Sequence, residues 1–397
     1  MNQFSDKWRR VRAVLAACMG AALVTACGGG GGGGSSAPAA VTPPAPPPDP
    51  DPPPVAVDLS FCDAQISVVD GIACVIQPSK TDAAILDQHP DSATNPNPGA
   101  DQGEGYGYHV VVIPSTLNAV SPVHVHFHGT YTRPYDQNGL GLLADANGLH
   151  ATVQVEEAAA AGFMMIQLAY PNRTAVNVVC ADNKATDNCA GLIRQEKLLG
   201  VEQTPLTDVD LANSIEYRLL ALLRYLEANL PAEALPVTSA NVTLSGAFDW
   251  STVRVGGHSQ GSGHAFYIAK NFGVQHACLL GGPFDVADEV PDDSQRIADW
   301  YLENAAGGLY SLTPADNLRG LIVTGDPINN GVEASYRLMG LTEDSEWINL
   351  QTTGLADRAG NSINSHAAAA KADEFSAVRA RLCFTDTPLA PGEFTGL

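Results

Sequence analysis

The chain has 397 residues, of which 45% are hydrophobic and 16% are charged, and its formal net charge at pH 7 is −22. A chain of this length can bury the core of one large domain or of two small ones. Its 43 acidic residues against 21 basic ones repel nucleic acid and anionic lipid head groups, so neither is expected as a partner.

Residues 1–26 have the pattern of an export signal peptide, with basic residues ahead of a short apolar stretch from Val11 to Val24. That stretch is too short for a membrane span. The sequence Leu23-Val-Thr-Ala-Cys27 resembles the lipobox of bacterial lipoproteins, which implies cleavage before Cys27 and lipid attachment to its sulfur. The alternative is an ordinary signal peptide in which Cys27 is incidental. We therefore expect an exported protein, anchored by lipid to a bacterial membrane, with the outer membrane favoured, or else extracellular.

Residues 27–57 are dominated by glycine and then by proline. Gly28 to Gly34 is unbroken glycine, and a Pro/Asp-rich run continues to about Pro54. Glycine-rich chain is a flexible coil and proline-rich chain is a stiff extended spacer, and neither can bury a core. We interpret this segment as a disordered tether that follows the lipidated Cys27 and precedes a single domain in residues 58–397.

Six cysteines remain when Cys18 and Cys27 are set aside. Exported chains meet an oxidising compartment in which disulfides form and persist. Six cysteines allow fifteen pairings. The expected disulfides, two chosen by proximity in the sequence and one left over, are Cys62–Cys74, Cys180–Cys189 and Cys278–Cys383.

Strand and helix patterns alternate from Tyr106 onward. Apolar runs predict strands at 108–113, 123–128, 163–169, 250–255, 277–280, 320–324 and 347–350. Helical spacing of apolar residues predicts helices at 155–161, 208–230 and 367–382. The alternation predicts an α/β fold with a mostly parallel central sheet and helices on both faces. Ligand sites in such sheets lie at the carboxyl ends of the strands.

Ser259 stands at the junction between an apolar strand and a helical pattern. Gly257 and Gly261 lie two residues away on either side, which gives the G-x-S-x-G pattern of a nucleophile elbow. A strand that turns directly into a helix strains its corner residue, and a Cβ at either flanking position would clash. The corner also places the serine at a helix N-terminus, which favours developing negative charge. We interpret Ser259 as a nucleophile; the alternative is a surface serine in a glycine-rich turn.

A serine hydroxyl needs a base to take its proton, and the base needs an acid to orient it. Three histidines follow Ser259, and only His366 lies beyond a late strand, at the start of the last predicted helix. His366 is therefore the predicted base. Asp326, just past the strand at 320–324, is the predicted acid, and Asp285, one strand earlier, is the alternative. Either aspartate could instead serve only to form a turn.

An oxyanion hole requires two backbone N–H groups aimed at the developing negative charge. The residue after the nucleophile, Gln260, provides one by its position. The turn His128-Gly129-Thr130 follows the strand at 123–127 and offers the second. We assign this second donor to Thr130, with Gly129 close behind.

The order Ser259, Asp326, His366, with the G-H-S-Q-G elbow and an H-G turn upstream, resembles the α/β-hydrolase superfamily and its esterase- and lipase-like members. The resemblance spans roughly residues 106–383. It implies an α/β-hydrolase fold and cleavage of carboxylic esters through an acyl-enzyme intermediate, without a cofactor, on a small-molecule, lipid or polyester substrate. The turn reads H-G-T and not the H-G-G-G of one lipase group, which leaves the second oxyanion donor open.

Four further interpretations bear on the function. His124, His126 and His128 alternate along one strand and could suggest zinc, but a straight strand spreads them over about 13 Å, too far for one tetrahedral ion, so no metal is predicted.

The cap insertion, residues 171–207, follows a strand's carboxyl end and could be a lid over Ser259 or only a surface loop. An amidase or peptidase uses the same triad, and a non-catalytic surface-binding protein can share the fold.

Overall fold

The computed structural model describes residues 57–87, 107–130, 132–135, 152–173, 175–183, 186–285, 298–350, 354–357, 359–390 and 393–394. The predicted signal peptide, Cys27 and almost all of the predicted tether lie outside the described residues. The described residues all belong to one compact unit of the chain. None of their helices is long and apolar enough to cross a membrane.

One sheet of nine strands runs through the described part of the chain. Its strands are β1 (Ala64–Val68), β2 (Gly71–Ile76), β3 (His109–Pro114), β4 (Val123–Phe127), β5 (Met164–Gln167), β6 (Arg254–His258), β7 (His276–Leu280), β8 (Leu318–Val323) and β9 (Trp347–Leu350). Their order is β1-β2-β3-β5-β4-β6-β7-β8-β9. The three pairings from β1 to β5 are antiparallel, and the five from β5 to β9 are parallel.

Ten helices are present in the described ranges. They are α1 (Pro78–Thr81), α2 (Thr152–Ala160), α3 (Val176–Asp182), α4 (Cys189–Leu199), α5 (Ile215–Asn229), α6 (Gln260–Phe272), α7 (Asp299–Leu302), α8 (Asn329–Leu338), α9 (Ser365–Lys371) and α10 (Ser376–Cys383). Side chains of α4, α5, α6 and α8 join the apolar core on one face of the sheet, and those of α2, α9 and α10 join the core on the other. The sheet is mostly parallel and covered by helices on both faces, as predicted. The chain has the α/β-hydrolase fold.

Alternation along the strands divides the sheet into its two faces. On β4, Val125 and Phe127 belong to the core beneath α5 and α6. The intervening His124 and His126 therefore point to the face that α2, α9 and α10 cover. One face of β4 is thus apolar, whereas the other is a buried row of imidazoles.

All three predicted helices differ from the structure in their bounds. The helix expected at 155–161 is Thr152–Ala160. The helix expected at 208–230 begins at Ile215, because Ser214 caps it by accepting a hydrogen bond from the Tyr217 N–H at 3.2 Å. The segment before that cap is a single 3-10 turn, Leu211–Asn213. The helix expected at 367–382 is interrupted by the 3-10 turn Asp373–Phe375, which separates α9 from α10.

The strand that leads to Ser259 also starts later than predicted. Trp250–Thr252 forms a 3-10 turn, whose start the Asp249 carboxylate caps by accepting from the Ser251 N–H. Extended backbone in the sheet therefore begins at Arg254 and not at 250.

The described cysteines form the three predicted disulfides. Cys62–Cys74 joins the segment before β1 to β2, Cys180–Cys189 joins α3 to α4, and Cys278–Cys383 joins β7 to α10. Three disulfides are consistent with an exported protein, because such bonds persist in oxidising compartments.

Candidate active site

Ser259 occupies the corner between β6 and α6 with φ 55° and ψ −121°, a backbone conformation that residues other than glycine rarely adopt. The neighbouring glycines are required by space. A Cβ at Gly257 would lie 2.2 Å from the carbonyl carbon of Gly261, and a Cβ at Gly261 would lie 2.0 Å from the carbonyl oxygen of Phe127. The turn can therefore close only without side chains at these two positions.

A chain of hydrogen bonds joins the three residues that the sequence analysis singled out. The Ser259 Oγ lies 2.7 Å from the Nε2 of His366, and the Nδ1 of His366 lies 2.7 Å from the Oδ2 of Asp326. Asp326 is buried, and its other oxygen accepts the Ile328 N–H at 3.0 Å. A proton on Nδ1 that points at the carboxylate leaves Nε2 free to accept the serine proton.

Two contacts hold the His366 backbone. Asn364 caps α9, because its side-chain oxygen accepts the Ala367 N–H at 2.8 Å. The Nε2 of His258 lies 2.8 Å from the carbonyl oxygen of His366. Burial, and then the neighbouring His366, lower the pKa of His258 well below its usual value, so His258 is neutral and donates through Nε2–H.

His258 could not be recognised from the sequence as part of the site. Its position before Ser259 was visible, but its partner is 108 residues away in the chain. Only the folded sheet brings the two segments together.

Asp285, the alternative acid, contacts other groups. Its two oxygens each accept a hydrogen bond at 2.6 Å from the Arg194 guanidinium, and Oδ2 also accepts from the Trp300 Nε1 at 3.0 Å. Both members of the ion pair are buried. The structure therefore brings Asp326, and not Asp285, to His366.

The predicted oxyanion turn lies beside the serine. A Cβ at Gly129 would lie 3.2 Å from the Cβ of Ser259. The Gly129 carbonyl accepts hydrogen bonds from the Thr132 backbone N–H at 3.1 Å, from the Thr132 hydroxyl at 2.7 Å and from the Asn172 amide at 2.7 Å. The turn is thus fixed at its carbonyl side, while Thr130 faces the cavity described next.

Ser259 opens into a cavity of about 430 Å³. Besides the residues of the hydrogen-bonded chain, its lining includes Thr130, Gln260 and Asn364, together with an apolar group formed by Ala175, Val176, Val178, Phe284, Pro327 and Ile328. The first turn of α3 belongs to the cap insertion, so this insertion forms part of the cavity wall. A volume in this range, with apolar walls and a few convergent polar groups, is typical of a small-molecule site.

Three buried histidines, two on β4 and one directly after it, lie close to this site. The ring centroids of His124 and His126 are 6.1 Å apart, and those of His126 and His128 are 5.3 Å apart. Burial lowers the pKa of His126 to about 3, and those of His124 and His128 are also well below the usual value, so all three are neutral. Among the described residues, no group of three or more His, Cys, Asp or Glu could hold a metal ion.

No protein-family model matches the sequence, and no curated protein is similar to it. Several solved structures align with much of the chain at low similarity. An S-formylglutathione hydrolase from Agrobacterium tumefaciens is 14% identical with a TM-score of 0.39, over 81% of this chain and 99% of that chain. A bacterial heroin esterase is 15% identical with a TM-score of 0.31, over 72% and 81%. Poly(aspartic acid) hydrolase-1 from Sphingomonas sp. KT-1 is 12% identical with a TM-score of 0.36, over 70% and 93%. Identities and TM-scores this low do not support the fold assignment, which is based on the sheet topology, and they give no information about the substrate.

Proposed function

We propose that this protein is a serine hydrolase that cleaves carboxylic esters. The proposal depends on one observation: Asp326, His366 and Ser259 are joined by two hydrogen bonds of 2.7 Å at a strained corner that opens into a cavity. A protein that only binds its ligand has no need of a buried carboxylate, an imidazole and a hydroxyl in this order.

The mechanism requires only groups of this chain and the ester. His366 Nε2 takes the proton of Ser259 as the hydroxyl oxygen attacks the ester carbonyl. The N–H groups of Gln260 and of Thr130, or of Gly129 in its place, stabilise the oxyanion of the tetrahedral intermediate. The imidazolium then protonates the departing alcohol, which leaves an acyl-enzyme. Water, deprotonated by the same imidazole, releases the acid and regenerates the serine.

The test is labelling of the purified domain with a fluorophosphonate, alongside hydrolysis of p-nitrophenyl esters and of the matching p-nitroanilides. We expect labelling and ester hydrolysis in the wild type, and loss of both in Ser259→Ala. Ser251→Ala is the matched control, because Ser251 is an exposed serine on the turn before β6. A folded wild type that is neither labelled nor active would contradict the proposal, and faster cleavage of anilides would make the enzyme an amidase.

We further propose that the chain is exported and held at a bacterial membrane by lipid on Cys27. The lipobox-like sequence that ends at Cys27 and the three disulfides support this. Globomycin, which inhibits the lipoprotein signal peptidase, should then make the precursor accumulate. Normal processing in its presence, or in Cys27→Ser, would favour an ordinary signal peptide.

A further inference from the structure

The cap insertion is attached to the elbow by buried polar groups. Arg194 on α4 donates from Nη1 to the carbonyl oxygen of Gln260 at 3.2 Å, while its other nitrogens bind Asp285. Gly263 makes room for this guanidinium, because a Cβ there would lie 1.9 Å from Nη2. The insertion therefore packs directly on the helix that begins at the nucleophile.

The side chain of Gln260 makes a second attachment. Its Oε1 accepts the Val176 N–H at 3.0 Å and the Thr130 hydroxyl at 3.2 Å, and its Nε2 donates to the Asn172 carbonyl at 3.1 Å. These partners fix the orientation of the amide. The Val176 N–H must face the amide oxygen of Gln260, and the Asn172 carbonyl must face its amide nitrogen. One buried amide thus links the elbow, the oxyanion turn and the start of the cap insertion.

The segment that this amide holds is also the apolar wall of the cavity. Val176 is the first residue of α3, and both Val176 and Val178 line the cavity that contains Ser259. The distance from this wall to the nucleophile determines how much room an ester's apolar group has. Apolar packing of Val176 in the core and the hydrogen bond from its N–H to Gln260 both hold this wall in place.

We propose that the side chain of Gln260 is a positioning residue, which holds the first turn of α3 against the site so that this wall selects esters by the size of their apolar group. The inference rests on the proposed ester hydrolysis. The cap insertion is then a fixed specificity wall and not a lid that opens and closes. The backbone N–H of Gln260 stabilises the oxyanion, whereas its side chain determines the substrate selectivity.

Val176→Pro and Val176→Ala form a matched pair that isolates the hydrogen bond. Both lose the valine side chain, but only proline also removes the N–H. Proline is tolerated at the first position of a helix, and the preceding Ala175 already has φ −64° and ψ 127°, the conformation that a residue before proline prefers. The pair therefore differs in the N–H and in the bulk of the proline ring, and not in helix formation.

The measurement is kcat and KM for two ester series, p-nitrophenyl acyl esters and alkyl acetates, each from two to eight carbons. Relative to Val176→Ala, we expect Val176→Pro to change the ratio of kcat/KM between the longest and shortest ester by about tenfold in at least one series. The change should appear mainly in KM. Equal ratios in the two variants, in both series, would overturn the inference while leaving ester hydrolysis intact. A wild type inactive toward every ester would overturn both.

Gln260→Glu gives an independent readout from the other end of the bond. When ionised, the introduced carboxyl cannot donate to the Asn172 carbonyl; when protonated, it can. Burial raises the pKa of a carboxyl, so the size selectivity of the variant should approach that of the wild type as the pH is lowered from 8 to 6. A selectivity that differs from the wild type by the same factor at every pH, or not at all, would argue against a positioning role.

Discussion

Asp326 and Asp285 show how the partners of a side chain decide its role. Both follow strands of the parallel half of the sheet, and both line the same cavity. Asp285 has its oxygens occupied by Arg194 and Trp300, whereas Asp326 uses one oxygen for a backbone N–H and offers the other to His366. Position in the sequence favoured Asp326, and the geometry shows which group each carboxylate contacts.

The first prediction at the residue scale separates these two carboxylates. Asp326→Asn should lower kcat by about 10⁴-fold with little change in KM, because the imidazole loses the carboxylate that holds its tautomer and stabilises its protonated form. Asp285→Asn should retain kcat in whatever fraction folds, although it destabilises the protein. Steady-state kinetics with circular dichroism as the folding control decides between them. A folded Asp285→Asn with the larger loss would reverse the assignment.

The second prediction concerns the space at the elbow. Gly261→Ala should destabilise the protein by more than about 3 kcal/mol, because its Cβ meets the backbone of β4, which cannot move aside. Gly246→Ala is the control: unlike Gly261 it has a positive φ, 83°, but it has nothing within 4 Å, so it should cost only about 1 to 2 kcal/mol from backbone strain. The free energy of unfolding in urea measures both. A loss at Gly261 no larger than the loss at Gly246 would mean that crowding is not what requires glycine at the elbow.

At the scale of elements, α3 and α4 could not hold their place by themselves. They are seven and eleven residues long, shorter than helices that are stable alone in water. The Cys180–Cys189 disulfide joins them, and the buried pair of Arg194 and Asp285 connects them to the segment after β7. The cap insertion is thus an extension of the fold, held by apolar side chains in the core and by a few polar anchors.

The third prediction tests the strongest of these anchors. Arg194→Met should lower the free energy of unfolding by about 3 to 5 kcal/mol, because it leaves the Asp285 carboxylate buried without its cation. Adding Asp285→Asn should recover part of that loss, since the remaining amide is neutral and can still accept from Trp300. A double variant whose loss equals the sum of the two single losses would show that the two side chains are not coupled.

The elements that could be predicted from the sequence are those with local signals. The apolar strands and the elbow at Ser259 were recognisable because their pattern lies within a few residues, and His366 followed from chain order. The boundaries at Ser214 and Asp249 were missed because a single capping side chain outweighed the apolar periodicity. Arg194 and His258 were not recognised because their partners are 91 and 108 residues away.

At the scale of the whole molecule, the most unusual feature is its number of buried neutral histidines. The pKa values of seven are lowered, with burial as the largest cause: His109, His124, His126, His128, His258, His264 and His276. The values for His126 and His276 are about 3 and about 4. In the unfolded chain each would titrate near the ordinary value of about 6.5. Below that pH the unfolded state therefore binds more protons than the folded state, and acid favours unfolding.

The fourth prediction follows from the sign of this linkage. A histidine whose pKa is lowered in the folded state does not reduce the free energy of unfolding above about pH 6.5. As the pH falls from there toward the folded-state pKa, the histidine lowers that free energy by about 1.4 kcal/mol per pH unit. Most surface carboxylates stay ionised down to about pH 5, so their repulsion changes little in this range. The free energy of unfolding of a typical domain is about 5 to 15 kcal/mol, and the combined effect of seven such histidines can cancel it. We therefore expect cooperative unfolding near pH 5.

Urea unfolding at intervals between pH 7 and 5 measures the slope of the unfolding free energy against pH. His126→Asn removes one titrating group and should make that slope shallower by about 1.4 kcal/mol per pH unit, whatever it costs in stability at pH 7. Met165→Leu, a change on the same face of the sheet that titrates nothing, should shift the whole curve and leave its slope unchanged. Equal slopes for His126→Asn and the wild type would mean that His126 is solvated or already charged in the folded protein. Burial of this histidine would then not be a cause of the acid sensitivity.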